Sequence, residues 1–254
     1  MTPKLKDKVA VITGAGSGIG RAMAELFSSE GAEIFVVDVI KERVNETVSL
    51  INSKGGRATG MVLDLSMRKN VEQMIDDAYS KSGRIDILCN NAGIMDGANP
   101  VADTDDQLWE RVMNVNLNAP FWATRKVLPY MIGKGGGTIV NTSSVAGLFG
   151  GRAGAAYTAS KHALIGLTRS TAATYGQKGI KCNAMALGAI ETAIGIGQKE
   201  PNKLGFEVMN KVMGAIPRVG KPVEIARVAL FLASDDSSYL NGSVIIADDG
   251  WTNY

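Results

Sequence analysis

Two residues stand where a proton could be handled without metal or histidine. Tyr157 and Lys161 are four apart in a stretch that continues through Leu164, Leu167 and Thr168 at helical spacing, so both fall on one helix face. A free tyrosine, with a pKa of ~10, is almost wholly protonated at neutral pH. Lowering it by ~3 units takes about 4 kcal/mol, which one cation at ~4 Å supplies under an effective dielectric of ~20. One lysine therefore provides most of the shift. Among the 254 residues there is one histidine, His162, and two cysteines, Cys89 and Cys182. Structural zinc takes four ligands and catalytic zinc three, usually Cys or His, so no metal site is expected. His162 follows Lys161 and points roughly 100° away round the helix, as a packing or surface residue. Cys89 and Cys182 lie far apart inside apolar runs, which reads as reduced core thiols in a cytoplasmic protein.

A second cluster is built for phosphate. Thr13-Gly-Ala-Gly-Ser-Gly-Ile-Gly20 follows an apolar run and leads into a helical pattern, so backbone amides at the helix start, free of side chains, would seat a pyrophosphate. The spacing is T-G-x-x-x-G-x-G on Gly14, Gly18 and Gly20, because a G-x-G-x-x-G frame puts Ile19 at its third glycine. Asp38 ends the next apolar run, about 20 residues after Gly18, where a carboxylate accepts hydrogen bonds from an adenosine ribose. It would repel a 2′-phosphate, and neither Ser17 nor Val39 is basic. That pattern predicts NAD rather than NADP. Asp64 and Leu65 end a third run, and Asn90-Asn91-Ala-Gly93 ends a fourth, at the carboxyl edge where open α/β sheets bind ligands.

These residues need a scaffold that presents strand ends side by side. Short β-branched runs at Val9-Thr13, Glu33-Asp38, Ala58-Asp64, Ile85-Asn90, Thr138-Ser143, Ile180-Ala186 and Ser243-Ala247 alternate with segments of helical period, the βαβ pattern of a parallel sheet. Ile19, Ala22, Met23, Leu26 and Phe27 form one apolar stripe; Val44, Val48 and Ile51 another; Val71, Met74, Ile75 and Ala78 a third. Nearly all-apolar early strands predict helices on both faces. Acidic residues from Asp103 to Asp106 mark a helix start near Asp105, and Pro222 marks the last one. The reading is one α/β domain over residues 1–254, a doubly wound Rossmann fold with a seven-stranded parallel sheet. Residues 188–218, long and glycine-rich, break the rhythm, and Ile194, Ile196, Leu204, Phe206, Met209 and Met213 within them predict a substrate lid with a short helix.

Composition excludes other classes. With 27 basic and 25 acidic residues, the net charge of +2 gives no electrostatic case for nucleic acid or an anionic membrane. Glycine, at 30 residues, exceeds the roughly 18 of average usage at ~7%. The apolar stretch from Val9 to Ile12 is too short for a signal-peptide core, and no run of ~18 apolar residues predicts a membrane span.

The glycine turn, Asn90-Asn-Ala-Gly93, Asn116, Ser144 and Tyr157-Thr-Ala-Ser-Lys161, in this order from about Lys8 to Trp251, together resemble the short-chain dehydrogenase/reductase family in its compact form. The resemblance implies hydride transfer with a nicotinamide cofactor and a catalytic set of Asn116, Ser144, Tyr157 and Lys161. Tyr157 would be the base in alcohol oxidation and the acid in ketone reduction. Lys161 would lower its pKa and hold ribose hydroxyls, and Ser144, favoured over Ser143 by the family's spacing, would bind the substrate oxygen. Cofactor contacts are implied for Gly14, Ser17, Ile19 and Asp38, for Asp64, Leu65, Asn91 and Gly93, and for Tyr157, Lys161, Ile190 and Thr192. In the family the backbone carbonyl at Asn116 holds a water that links the lysine to solvent. Pro120 has no N–H to give that carbonyl, which would free it for such a relay. Two departures stand out: Leu187 where the family has proline, and Asp249 in place of a glycine.

The leading expectation is an NAD-dependent dehydrogenase for an uncharged, moderately hydrophobic secondary alcohol or ketone, lined by Met95, Leu148, Phe149 and the lid. Within the same family, an NADPH-dependent 3-oxoacyl-carrier-protein reductase is the alternative. A non-catalytic NAD-binding redox sensor is a further alternative, though its mark would be a damaged Ser-Tyr-Lys set. A homotetramer is expected from the family, with Trp109, Phe121, Trp122 and Phe231 supplying apolar surface.

Overall fold

The computed structural model describes residues 3–194 and 201–253. Seven parallel strands make a sheet of order 3-2-1-4-5-6-7: β1 Val9–Thr13, β2 Glu33–Asp38, β3 Arg57–Val62, β4 Ile87–Asn90, β5 Gly137–Ser144, β6 Ile180–Leu187 and β7 Val244–Ala247. The helices are α1 Gly18–Ser29, α2 Lys41–Ser53, α3 Arg68–Ser82, α4 Asp106–Met113, α5 Ala119–Gly133, α6 Ala155–Tyr175, α7 Lys203–Met213 and α8 Pro222–Ala233. Strand order reverses between β1 and β4, so the loops leaving their carboxyl ends diverge and open a crevice.

The period of two along β1 sorts its side chains between two cores. Ala10 and Ile12 pack with Met23 and Phe27 of α1, Val44 and Ile51 of α2, and Ile225 and Leu230 of α8. Val9 and Val11 pack on the opposite face with Val71, Met74, Ile75 and Ala78 of α3 and Val127 and Met131 of α5. The apolar stripes read from the sequence are thus the faces that meet the sheet. Truncating one of the fully buried phenylalanines, Phe27 or Phe35, to alanine would cost roughly 3–5 kcal/mol.

Three differences from the sequence reading have physical causes. The third strand ends at Val62, short of Asp64, because it lies at the sheet edge and its partner, β2, ends opposite it at Asp38. Its edge position also leaves Val62 46% exposed, so helices do not cover both faces there. The fourth strand begins at Ile87 rather than Ile85, since pairing with β1 starts at Ala10. The helix expected to run from Asp105 past Pro120 is interrupted: α4 starts on its Asp105 cap but ends at Met113, and residues 114–118 form one wide π turn, the Ala119 N–H reaching back to the Asn114 carbonyl. A proline that cannot donate, placed early in the continuing helix, suits such a widened turn.

The two departures also find places. Leu187 continues β6 to its end, paired with Ser144 and Ala247. Asp249 takes a left-handed φ of 55° and lies 3.4 Å from Arg218 in an ion pair. Within 188–218, Gly220 N–H donates to the Ala189 carbonyl and Glu191 N–H to the Gly220 carbonyl, both at 2.9 Å, closing the base of the segment. The short helix expected there is α7, none of whose side chains is buried; Ile196 lies outside the described residues. Among the described residues, no helix is long and apolar enough to cross a membrane, and no group of three or more His, Cys, Asp or Glu could hold a metal.

Opposite the crevice, the amino ends of the strands are tied by a buried carboxylate. Asp86, 4% exposed, accepts from Arg84 at 2.8 and 2.9 Å, Lys134 at 2.7 Å and the Val9 N–H at 2.9 Å. Burial alone would raise its pKa, but these donors outweigh burial and hold it below the ordinary value of 3.8. A depressed carboxylate stabilises above its unfolded pKa and loses that contribution as pH falls through the folded one. Asp86→Asn is therefore expected to cost about 2 kcal/mol at neutral pH. Urea midpoints should show the deficit shrinking below pH ~4; a deficit independent of pH would contradict this role.

Candidate active site

A cleft of about 630 Å³ follows the carboxyl ends of β1 to β6. At its centre lies the turn between β1 and α1. Ser17 caps α1 with extended backbone and no internal hydrogen bond from its side chain, and no acidic residue sits in the first turn. The amides and positive end of the helix therefore face the cleft without a competing carboxylate, which is the chemistry an anionic pyrophosphate needs. Gly14 has φ +65°, and a Cβ on Gly20 would collide with the Gly14 carbonyl oxygen and lie 2.7 Å from Asn91 Nδ2. Glycine at position 20 is thus a steric requirement of the turn.

The turn is bolted to the end of β4. Thr13 Oγ1 donates to the Cys89 carbonyl at 3.2 Å and accepts from the Asn91 and Ala92 N–H groups at 2.9 and 3.1 Å. Asn91 Nδ2 answers with the Thr13 carbonyl at 3.0 Å, while its Oδ1 accepts from Thr142 at 3.3 Å. Asn91 therefore spans three strand ends. At one end of the cleft Asp38 is held by Gly16 N–H at 3.0 Å and Ile40 N–H at 3.1 Å, and Arg43, unnoticed in the sequence, lines the wall beside it. Its place in the first turn of α2 gave no spacing signal linking it to Asp38.

At the other end, β5 and α6 bring Ser144, Tyr157 and Lys161 to one wall. Tyr157 is 8% and Lys161 3% exposed. The Lys161 ammonium donates to the Thr142 carbonyl at 2.8 Å and lies 5.4 Å from the centre of the Tyr157 ring. Burial pushes the Tyr157 hydroxyl up to about 12; Ser144, facing it, pulls the other way, and the charge of Asp96 adds to the rise. Burial likewise lowers Lys161 to about 8. In the free protein, then, burial outweighs the lowering expected from Lys161, whose ammonium is itself desolvated.

Gly14, Ser17, Ile19, Asp38, Asp64 and Leu65 all line the cleft, as do Asn91, Gly93, Ile190 and Thr192. Asn116 does not. It is fully buried behind the wall, its side chain spent on the Ile94 N–H and carbonyl, each at 2.9 Å, and on Ser160 at 3.3 Å. Ser143 and Ser144 both line the cleft, but the Ser143 hydroxyl is given to the Lys161 carbonyl at 3.1 Å, whereas Ser144 faces Tyr157. Ile94, Val115, Leu187 and Ile194 are among the apolar residues lining the cleft, and Met95, Leu148 and Phe149 are not; Phe149 is instead stacked under Arg152 at 4.8 Å. His162 is exposed, its Nδ1 3.0 Å from the Thr158 carbonyl. The sequence also gave no notice of Asp96, whose Asp-Gly pair reads as an ordinary turn.

Comparison with known proteins fits this geometry. The family model for short chain dehydrogenases matches residues 8–203. Relatives include 3beta-hydroxysteroid dehydrogenase 2 of Eggerthella lenta, 41% identical over 99% of this chain and 97% of that protein. The 3-oxoacyl-acyl-carrier-protein reductase of Thermotoga maritima is 40% identical over 97% and 98%. The crystal structure of levodione reductase superposes with a TM-score of 0.89 at 36% identity, covering 98% of this chain and 100% of that one. The chain belongs to the short chain dehydrogenase family of oxidoreductases.

Gly20→Ala tests the turn. Relieving the collision must move the backbone that lines the cleft, at a cost of about 1–3 kcal/mol. Calorimetric titration with nicotinamide dinucleotides should show binding weakened by roughly tenfold or more, and unchanged affinity would contradict the placement.

Proposed function

We propose that the protein is an NAD-dependent dehydrogenase that interconverts a secondary alcohol and a ketone, with Tyr157 as the acid/base. The observation that carries this reading is the joint placement of Tyr157, Lys161 and Ser144 at one end of a cleft whose other end is Asp38. Residues around the cleft fit a dinucleotide: unobstructed amides at α1, a fixed carboxylate at the ribose end, and walls from Asp64, Leu65, Asn91, Gly93, Ile190 and Thr192. When bound, a nicotinamide would supply the hydride acceptor or donor.

Ser144 would hold the substrate oxygen and Tyr157 its proton. In oxidation the phenol must first be lowered from about 12. Lys161 already stands beside the phenol, so the further lowering would come from the positive charge of the oxidised cofactor when bound. The Lys161 proton would exchange with solvent through the carbonyl of Asn116, next to which Pro120 offers no N–H. Ile94, Leu187 and Ile194 favour an uncharged, moderately hydrophobic substrate, and residues 188–218 would close over it.

Asp38 favours NAD, since a 2′-phosphate would meet its charge. The carrier-protein reductase reading is supported by a relative of that name at 40% identity, and Asp38 stands against it. Trp109, Phe121 and Phe231, each about 40% exposed, support a homotetramer, which light scattering decides; Trp122 packs against the core instead.

The test is a spectrophotometric screen of secondary alcohols and ketones with both cofactors. The expected result is turnover with NAD, reduced at least ~10²-fold in Tyr157→Phe while cofactor affinity is retained. Strong preference for NADPH, or near-normal activity in Tyr157→Phe, would contradict the proposal.

A further inference from the structure

We propose that Asp96 is a positioning residue for this reaction: its carboxylate grips the first turn of α6 at the peptide nitrogen of Tyr157, fixing the phenol in place and setting a negative charge beside it. The proposal rests on the reading of Tyr157 as the acid/base.

Asp96 is 1% exposed, in the loop after β4. Its Oδ1 accepts from the Ala98 N–H at 3.2 Å and the Gly154 N–H at 3.1 Å, and its Oδ2 from the Tyr157 N–H at 2.8 Å. A helix start leaves its first N–H groups without partners. The cap of α6 is Gly154, which has no side chain to offer, and no acidic residue stands in the first turn. Asp96 therefore supplies from a distant loop what the helix lacks locally, and does so with a charge at its positive end.

The surroundings are shaped to this contact. A Cβ on Gly154 would lie 2.5 Å from Asp96 Oδ2 and from Asn99 N. The loop turns back through two left-handed residues, Gly97 at φ 64° and Ala98 at φ 58°. On its outer side Asn202 N–H donates to the Gly97 carbonyl at 2.9 Å, holding the loop from α7.

The sign of the charge effect follows from geometry. A carboxylate near the phenol disfavours the phenolate, so it keeps the proton on Tyr157 to higher pH. The charged groups facing Tyr157 are Asp96 from the loop and Lys161 from α6, with Ser144 from β5 as the polar neighbour. His162 turns outward to Thr158, and the Arg152 guanidinium lies between the rings of Phe149 at 4.8 Å and Trp251 at 5.2 Å.

The experiment is the pH dependence of kcat for alcohol oxidation in the full-length protein and in Asp96→Asn, with NAD affinity measured alongside. The midpoint should move down by roughly one pH unit, with affinity held within about twofold. Should Asp96→Asn fail to fold, Asp96→Ser, which keeps a capping oxygen but no charge, should give the same shift. A lower melting temperature with an unmoved midpoint would reduce Asp96 to a structural cap and overturn the proposal. Tyr157→Phe separates the two readings. If it is fully active, the assignment of Tyr157 falls; if it is inactive while Asp96→Asn keeps the original midpoint, only the role of Asp96 falls.

Discussion

An ammonium buried to 3% exposure must find partners or lose its proton, and Lys161 imposes that condition on everything around it. Its ammonium donates to the Thr142 carbonyl near the end of β5, which makes the strand part of the site rather than its support. Thr142 in turn bonds Asn91, and Asn91 bonds the carbonyls of Thr13 and Gly14. The chain of contacts runs from the lysine across three strand ends to the glycine turn. Lys161 sits on the same face of α6 as Tyr157 because they are one helical turn apart, so the helix that presents the phenol also anchors to the sheet that presents the cleft.

The same burial supplies what charge arithmetic for Tyr157 leaves out. Spacing told that a cation would stand near the phenol, and Coulomb's law gave its attraction. What spacing could not tell was desolvation, which penalises phenolate and ammonium alike and moves them apart, to about 12 and about 8. Two charges that must both be desolvated help each other less than the same pair in a half-wet site.

Much of the fold was legible because its cores obey simple periods. Val71, Met74, Ile75 and Ala78 are all buried, as their helical spacing required, and six of the seven strands end within about one residue of their apolar runs. Errors fell where tertiary context decides: the third strand, cut short by its edge position, and the π turn before Pro120. Of the residues lining the cleft, Asp38, Asp64, Leu65, Asn91 and Gly93 were legible from their types at strand ends. Asp96 and Arg43 were not, because a carboxylate that caps a helix 58 residues away and a guanidinium one turn past a strand carry no local pattern. Asn116 was found by resemblance, but its side chain serves the loop at Ile94 rather than the cleft.

The measurement that bears most directly on the account is the ionisation of Tyr157 itself, read as the phenolate absorbance near 295 nm that the protein has and Tyr157→Phe lacks. In the free protein no such difference should develop below pH ~10, since burial holds the hydroxyl near 12. With saturating NAD the difference should appear roughly 3 units lower, between pH ~7 and ~9. A Tyr157 signal at the same pH with and without NAD would contradict a site in which lysine and cofactor together free the proton.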